Sequence, residues 1–292
     1  MTVSLGPIDR ATRWVNSPPL TAEALRGRLV LVDFWEYTCV NWIRTSRYVK
    51  AWHRDYAGLG LVVIGVHAPE FQFGHQPDNI DQGIRDHGLS YPIAIDNDFA
   101  IWQGMANNAW PAKYLFDGAG DLVDRWVGEG RYDVIEAELR RRLDATPLPP
   151  LSPEVAAYAR DGMPSYAGIS EETYVGRDRG EPGSFTVAGD WRSDREYVEL
   201  GLGPGELVLP FTAGEVNVVV QPGSSGASAL RVLLDGQPVN GAHGADVGPD
   251  SVARVDHAGM VRLIEHAPPG PHVLSLIADD PGLRAYVFTF GP

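Results

Sequence analysis

Cys39 is the single thiol in a chain of 292 residues. It sits in Trp35-Glu36-Tyr37-Thr38-Cys39-Val40-Asn41-Trp42, between an apolar run, Leu29 to Trp35, and an amphipathic pattern that continues to Tyr56. A thiol at a strand-to-helix junction meets the unpaired N–H groups and the positive end of a helix, which favour the thiolate, the reactive form. A second cysteine three residues on would close an internal dithiol cycle, but Trp42 stands there. Three chemistries stay open for such a site. Cys39 attacks a disulfide, and an external thiol releases the mixed disulfide. Or it meets a peroxide and forms a sulfenic acid, again resolved from outside. Or it is an inert cysteine in a fold with a non-redox role.

The elements that must position this thiol follow from periodicity and punctuation. Residues 1–20 read as an extended lead-in, after which Thr21 caps a short helical turn, Ala22 to Leu25. Leu29 to Trp35 suits a strand buried on both faces, and Leu61 to Val66 a second. Between them Val40 to Tyr56 is helical, ended by Gly58 and Gly60. Asp78 caps a helix to about His87; a short strand follows at Pro92 to Ile95, then a helical turn, Phe99 to Met105. Ala112 to Phe116 and Leu122 to Val127 form a hairpin, and Tyr132 to Leu143 a last helix. A β–α–β start with a terminal hairpin predicts a mixed sheet with helices on both faces.

Thr146 to Pro153 is a Pro-rich break. From Phe185 the pattern changes to short strands broken by Gly and Pro. They run Tyr197–Leu200, Leu207–Thr212, Val216–Gln221, Leu230–Leu234, Ser251–Val255, Met260–Glu265, Val273–Ala278 and Arg284–Phe290. This predicts an all-β sandwich of jelly-roll type behind the α/β domain. The expected division is an α/β domain at 1–145, a linker and irregular segment at 146–182 with some helical pattern at Val155 to Ala159, and the sandwich at 183–292.

Val32-Asp33-Phe34-Trp35-Glu36-Tyr37-Thr38-Cys39 resembles the strand and loop that lead to the active site of thioredoxins and TlpA-like redoxins. Pro111, just before Ala112, falls where those proteins keep a cis-proline facing the thiol. The resemblance implies a proton-accepting role for Asp33 beside Cys39. Leu61 to Phe71, Gly189-Asp190-Trp191 and Ala285 to Gly291 extend it to the soluble C-terminal part of DipZ-type proteins. There a thioredoxin-like domain precedes a sandwich similar to carbohydrate-binding modules. Two departures matter: the membrane-spanning part of DipZ-type proteins is absent, and Trp42 replaces the second cysteine. Pro69 to Gln76 resembles the loop that supplies a glutamine in glutathione-peroxidase-like enzymes. On that resemblance Gln72 is the glutamine, and Trp110 lies one place from their tryptophan. Glu70 and His67 lie near the same loop, His67 as a base or as a strand-end packing residue. Trp35, Thr38, Trp42 and Trp110 are expected to line the thiol site, with Trp42 offering a stacking surface to a ligand. The first reading is therefore a monothiol redox protein, and the second a one-cysteine peroxidase. A non-redox scaffold, or biosynthetic chemistry recruited to the same cleft, is the third.

The substrates implied are a small thiol, a protein disulfide or a peroxide. A glycan at the second domain would need exposed aromatic faces, and only Trp191, with Tyr197 and Tyr286 behind it, is available there. Net charge is −14, concentrated in residues 146–292, and speaks against nucleic acid and anionic membranes as partners. No apolar run approaches the roughly 18–20 residues that span a bilayer. The N-terminus has no apolar signal-peptide core, so a cytoplasmic location is expected. No histidine or cysteine spacing suits a metal, no glycine-rich phosphate loop is present, and no cofactor is expected.

Overall fold

The computed structural model describes residues 3–143, 147–239 and 241–292. The chain divides into two units, residues 1–163 and 164–292. The expected boundary at 145/146 lies outside the described residues.

The first unit is built on one strand. β2 (Leu29–Trp35) is buried at six of its seven positions and lies inside a six-stranded sheet of order β1-β4-β3-β2-β5-β6. Here β1 is Arg13–Val15, β3 Leu61–His67, β4 Ile93–Ile95, β5 Ala112–Phe116 and β6 Leu122–Val127. β2 runs parallel to β3, from Leu29 opposite Leu61 to Trp35 opposite His67. It runs antiparallel to β5, with Val30 opposite Phe116 and Phe34 opposite Ala112. A continuous apolar run is what a strand paired on both edges and covered on both faces requires. β1 was not legible as a strand. It pairs with β4 inside the stretch expected to be an extended lead-in, after a 3-10 turn, Gly6–Arg10. The expected helical turn at Ala22 is a hydrogen-bonded turn, with Thr21 Oγ1 accepting from the Ala24 N–H at 3.1 Å.

Side chains alternate across a strand, so the sheet has two distinct faces. One is apolar: Val30, Val32, Phe34, Ile64, Val66, Ala94, Ala112, Tyr114 and Phe116 form one buried cluster with Ile8, Ile101 and Met105. Ile101 belongs to α3 (Ala100–Gly104), which covers this face. The opposite face carries Asp33, Trp35, Gly65, His67 and Lys113. Against it lies α1 (Val40–Tyr56), whose Trp42 reaches Asp33, and α4 (Tyr132–Arg142), whose Tyr132 ring lies 5.8 Å from Lys113 Nζ. α2 (Pro77–Asp86) brings Gly83 against Tyr37; a Cβ on Gly83 would come within 2.7 Å of the tyrosine side chain.

α5 (Pro153–Asp161) contains the helical pattern expected at Val155 to Ala159 and packs on α1 and α4. Glu136 of α4 fastens this corner. It is fully buried and accepts hydrogen bonds from Trp52 Nε1 (3.0 Å), Tyr56 Oη (2.5 Å), and the N–H (3.0 Å) and hydroxyl of Ser152.

The second unit contains all eight expected strands, and four short ones are added to them. Its strands are β7 (Thr173–Tyr174), β8 (Thr186–Ala188), β9 (Trp191–Ser193), β10 (Val198–Leu200), β11 (Gly205–Thr212), β12 (Glu215–Gln221), β13 (Ser228–Leu234), β14 (Gln237–Pro238), β15 (Val252–Val255), β16 (Gly259–Ile264), β17 (Pro271–Ala278) and β18 (Arg284–Gly291). They form two antiparallel sheets, β16-β12-β18-β10-β9 with β7 on β18, and β14-β13-β17-β11-β8 with β15 on β13. Alternate residues of both, among them Leu207, Leu209, Val218, Val232, Leu276 and Phe288, share one apolar core, the arrangement of a β-sandwich.

Glu136→Ala would strand the buried donors of Trp52, Tyr56 and Ser152. A loss of about 3–5 kcal/mol of stability is expected, read as a fall in the urea midpoint of the full chain. A change under about 1 kcal/mol would show that the corner is held by packing alone.

Candidate functional site

The thiol is placed by the end of β2 and the turn that follows. The Cys39 N–H donates to the Glu36 carbonyl at 3.2 Å, and the Cys39 carbonyl accepts from the Ile43 N–H at 2.9 Å. Cys39 is thus the N-cap of the 17-residue α1, with extended backbone angles of −72° and 107°, and it is partly exposed. The turn is held from within by Glu36. This carboxyl is fully buried, and one oxygen accepts both the N–H (2.7 Å) and the hydroxyl of Thr38. Burial pushes Glu36 up to about 8; Thr38 opposes this and the neighbouring charge of Glu70 adds to it. Glu36 therefore carries a proton at neutral pH.

Below the thiol lies a buried charge pair. Asp33 and Lys113 face each other across β2 and β5, and both are fully buried. Lys113 Nζ donates to the Gly128 carbonyl at 3.1 Å. Burial pushes Asp33 up to about 6, against the pull of the Lys113 charge and of a hydrogen bond from Trp42. Burial pulls Lys113 down, and the negative charges of Asp33, Glu129 and Cys39 hold it up. Trp42 Nε1 donates to Asp33 Oδ2 at 2.9 Å, while Asp33 Oδ1 is buried with no hydrogen-bond donor. Gly65 lies opposite Asp33 on β3, in a closely packed place. A Cβ there would lie 2.7 Å from Ile93 Cδ1 and 3.0 Å from both Trp35 Nε1 and the Tyr91 ring.

The peptide bond between Trp110 and Pro111 is cis. Phe34 pairs with Ala112, so the next step along the two strands sets Pro111 level with Trp35, at the thiol end of β2. A β–α–β unit with a thiol at the helix N-terminus, a buried acid below it and a cis-proline entering the neighbouring antiparallel strand settles the architecture. The first unit is a thioredoxin-like α/β domain.

Comparison with known proteins finds similarities in both halves of the chain. The family described as "Thioredoxin like C-terminal domain" matches residues 155–291. The DipZ protein of Mycobacterium bovis is 34% identical over 253 residues, which cover 78% of this chain and 36% of DipZ. The chain thus spans about a third of that relative's length. The thiol-disulfide oxidoreductase YkuV of Bacillus subtilis is 26% identical over 46% of this chain and 89% of its own. Among solved structures, a thioredoxin-like protein in its oxidised form superposes on 49% of this chain and 95% of its own with a TM-score of 0.45, at 26% identity.

In the thioredoxin-like domain, the residues expected around the thiol separate into two groups. Trp35 and Trp42 are fully buried, with ring centroids 4.8 Å apart. They floor the site, so Trp42 offers no stacking face to a ligand. His67 is likewise fully buried, stacked at 5.8 Å on Tyr37 and edge-on at 5.0 Å to Trp35. Burial pulls it down to about 3, so it is a neutral packing residue and not a base at neutral pH. Cys39, Glu70 and Trp110 are partly exposed and Gln72 is exposed, the first residue of a 3-10 turn, Gln72–His75. Trp110 packs on Trp102 with centroids 4.4 Å apart. In the second unit Trp191 is partly buried against the sandwich core, donates its indole N–H to the Ala188 carbonyl at 3.1 Å and abuts Gly205. Among the described residues no group of His, Cys, Asp and Glu is arranged to hold a metal, and no helix is long and apolar enough to cross a membrane.

Sequence reasoning passed over Lys113 and Glu36. The signal for Lys113 was a lone cation in an otherwise apolar strand two residues after Pro111. Its meaning depends on the register between β2 and β5, which no local pattern states. Glu36 lay inside the motif itself, but its burial comes from the turn and from the loop around Glu70 and Gly74.

These proton affinities fix the sign of a pH effect. Glu36 titrates near 4.5 when unfolded and near 8 when folded. Across that window the native state holds a proton that the unfolded chain lacks, so stability falls as pH rises, by up to about 1.4 kcal/mol per unit. Asp33 acts in the same direction, up to about 6. His67 acts in the opposite direction, its contribution being lost as pH falls from 6.5 toward 3. Only Glu36 of the three acts between about 6.5 and 8. Glu36→Gln should flatten the stability profile in that interval, measured by urea unfolding at stepped pH; an unaltered slope would mean that Glu36 is ionised in the fold.

Proposed function

We propose that the thioredoxin-like domain is a monothiol redox protein. The observation that carries this reading is a partly exposed thiol at a helix N-terminus, above a buried Asp33–Lys113 pair, with no second cysteine in the chain to resolve a mixed disulfide. The names of YkuV and of ResA, both thiol-disulfide oxidoreductases, support a redox role for the fold. In the first step the Cys39 thiolate attacks one sulfur of a disulfide. A Cys39–sulfur bond forms, the substrate S–S bond breaks, and the other half leaves as a thiolate. In the second step an external thiolate attacks the mixed disulfide, takes the bound half as a new disulfide and returns Cys39 as a thiolate. Asp33 is the proton acceptor for the resting thiol, and Pro111 with Trp110 shapes the groove beside it.

The intermediate is the point of test. The full chain, treated with a small aromatic disulfide at neutral pH and excess removed, should carry a single covalent adduct by intact mass. The adduct should persist until a thiol is added and be missing in Cys39→Ser. Failure to form the adduct, with normal labelling of the unfolded chain, would overturn the redox reading. Rapid consumption of hydrogen peroxide, with formation of a sulfenic acid and no mixed disulfide, would point to the peroxidase chemistry for which Gln72 and Trp110 are the candidates.

A further inference from the structure

Trp42 is fully buried, packed on Trp35 at 4.8 Å and edge-on to His87 at 5.2 Å. Filling that space asks only for an apolar ring. An indole differs from other aromatic rings in offering an N–H donor, and here that donor is spent on Asp33 Oδ2 at 2.9 Å. The two oxygens of Asp33 are thereby made unequal: Oδ2 is fixed, and Oδ1 is buried without a donor. The charged and titratable groups around this carboxyl come from several elements. Lys113 lies opposite on β5 and is itself held by the charges of Glu129 and of Cys39, the N-cap of α1; Tyr91 stands just before β4, and His67 is two residues beyond the Asp33 partner Gly65 on β3. His67 and Tyr91 are neutral at pH 7, so Lys113 and the Trp42 N–H are the groups that favour the Asp33 anion.

A thiol in place of Trp42 would ionise within the working pH range, and its titration would be coupled to that of Asp33. An indole N–H does not ionise, so Asp33 meets a constant donor at every pH. We propose that Trp42 is a positioning residue whose N–H fixes Asp33 by Oδ2, leaves Oδ1 as the oxygen that takes up a proton, and so sets the pH at which the carboxyl ionises. Its use in catalysis rests on the monothiol reading, but the titration of Asp33 belongs to the fold and is measurable without the thiol.

The test replaces Trp42 by 3-benzothienylalanine, which keeps the ring shape and puts sulfur where the N–H was. The Asp33 carboxyl carbon is followed by NMR against pH in the full chain carrying Cys39→Ser. A single-step titration is expected, near pH 6 with Trp42 and higher by about one unit, a tenfold gain in proton affinity, with the analogue. An equal midpoint in the two proteins would overturn the proposal. If the analogue does not fold, the Trp42 indole N–H resonance in the unsubstituted ring protein gives the second readout. It should titrate with the Asp33 midpoint, and a flat resonance through that midpoint would overturn the proposal equally. In the protein that retains Cys39, the pH profile of alkylation should move with Asp33. An inert thiol with the Asp33 shift intact would sink the monothiol reading and leave the positioning of Asp33 by Trp42 standing.

Discussion

A carboxyl buried in the middle of a sheet is the constraint on which this domain turns. Asp33 sits on β2, between β3 and β5, where a neighbour on either side must tolerate it. An unpaired buried charge costs several kcal/mol even after relaxation. The surrounding sequence meets that cost from two sides. Lys113 supplies the opposite charge across one strand pair, and Trp42 supplies a donor from the helix above. Gly65, across the other pair, sits where a Cβ would collide with its neighbours. A side chain on Gly65 would drive Ile93, Trp35 and Tyr91 apart, and an apolar residue at 113 would leave Asp33 without its counter-charge.

The same face shows how one environment sets three proton affinities apart. Asp33 near 6, Glu36 near 8 and His67 near 3 are all fully buried, and burial is the first cause of each shift. Burial favours the neutral form, so it raises acids and lowers a histidine. What separates the two acids is their company. Asp33 has a cation opposite; Glu36 has another carboxylate, Glu70, nearby. At neutral pH Glu36 and His67 are thus uncharged and Asp33 is ionised. On the proposed redox reading, Asp33 is the group that receives a proton from Cys39.

The part of this legible in the sequence was whatever depends on local pattern. β2, α1, β3 and the hairpin follow from runs, periods and turn residues, and the eight main strands of the sandwich from alternation and Gly–Pro punctuation. β1 was missed because three half-buried residues, Arg13, Trp14 and Val15, carry no strand signature without their partner β4. The site divided in the same way. Cys39, Asp33 and Pro111 are marked by position along a motif. Lys113 and the hydrogen bond from Trp42 arise from register and from the height of a helix residue over the sheet, which are tertiary facts. Trp42 was visible as a departure, a missing thiol. Its positive role needed the distance to Asp33.

That role changes what the substitution means for the reaction cycle. In a dithiol site the second cysteine attacks the mixed disulfide from a few ångströms away, with the high effective concentration of an intramolecular group. Ambient thiols compete poorly with such a neighbour, and the intermediate is short-lived. With Trp42 in that place no internal attacker exists, since Cys39 is the single cysteine of the chain. On the proposed monothiol reading, the lifetime of the adduct passes to the external thiol, to its concentration, its thiolate fraction and its access to the Cys39 sulfur. On the proposed reading, a site with an acid, a cation and a helix N-terminus around one thiol, and with Trp42 as a donor to that acid, has what forms the mixed disulfide and lacks a second thiol to clear it.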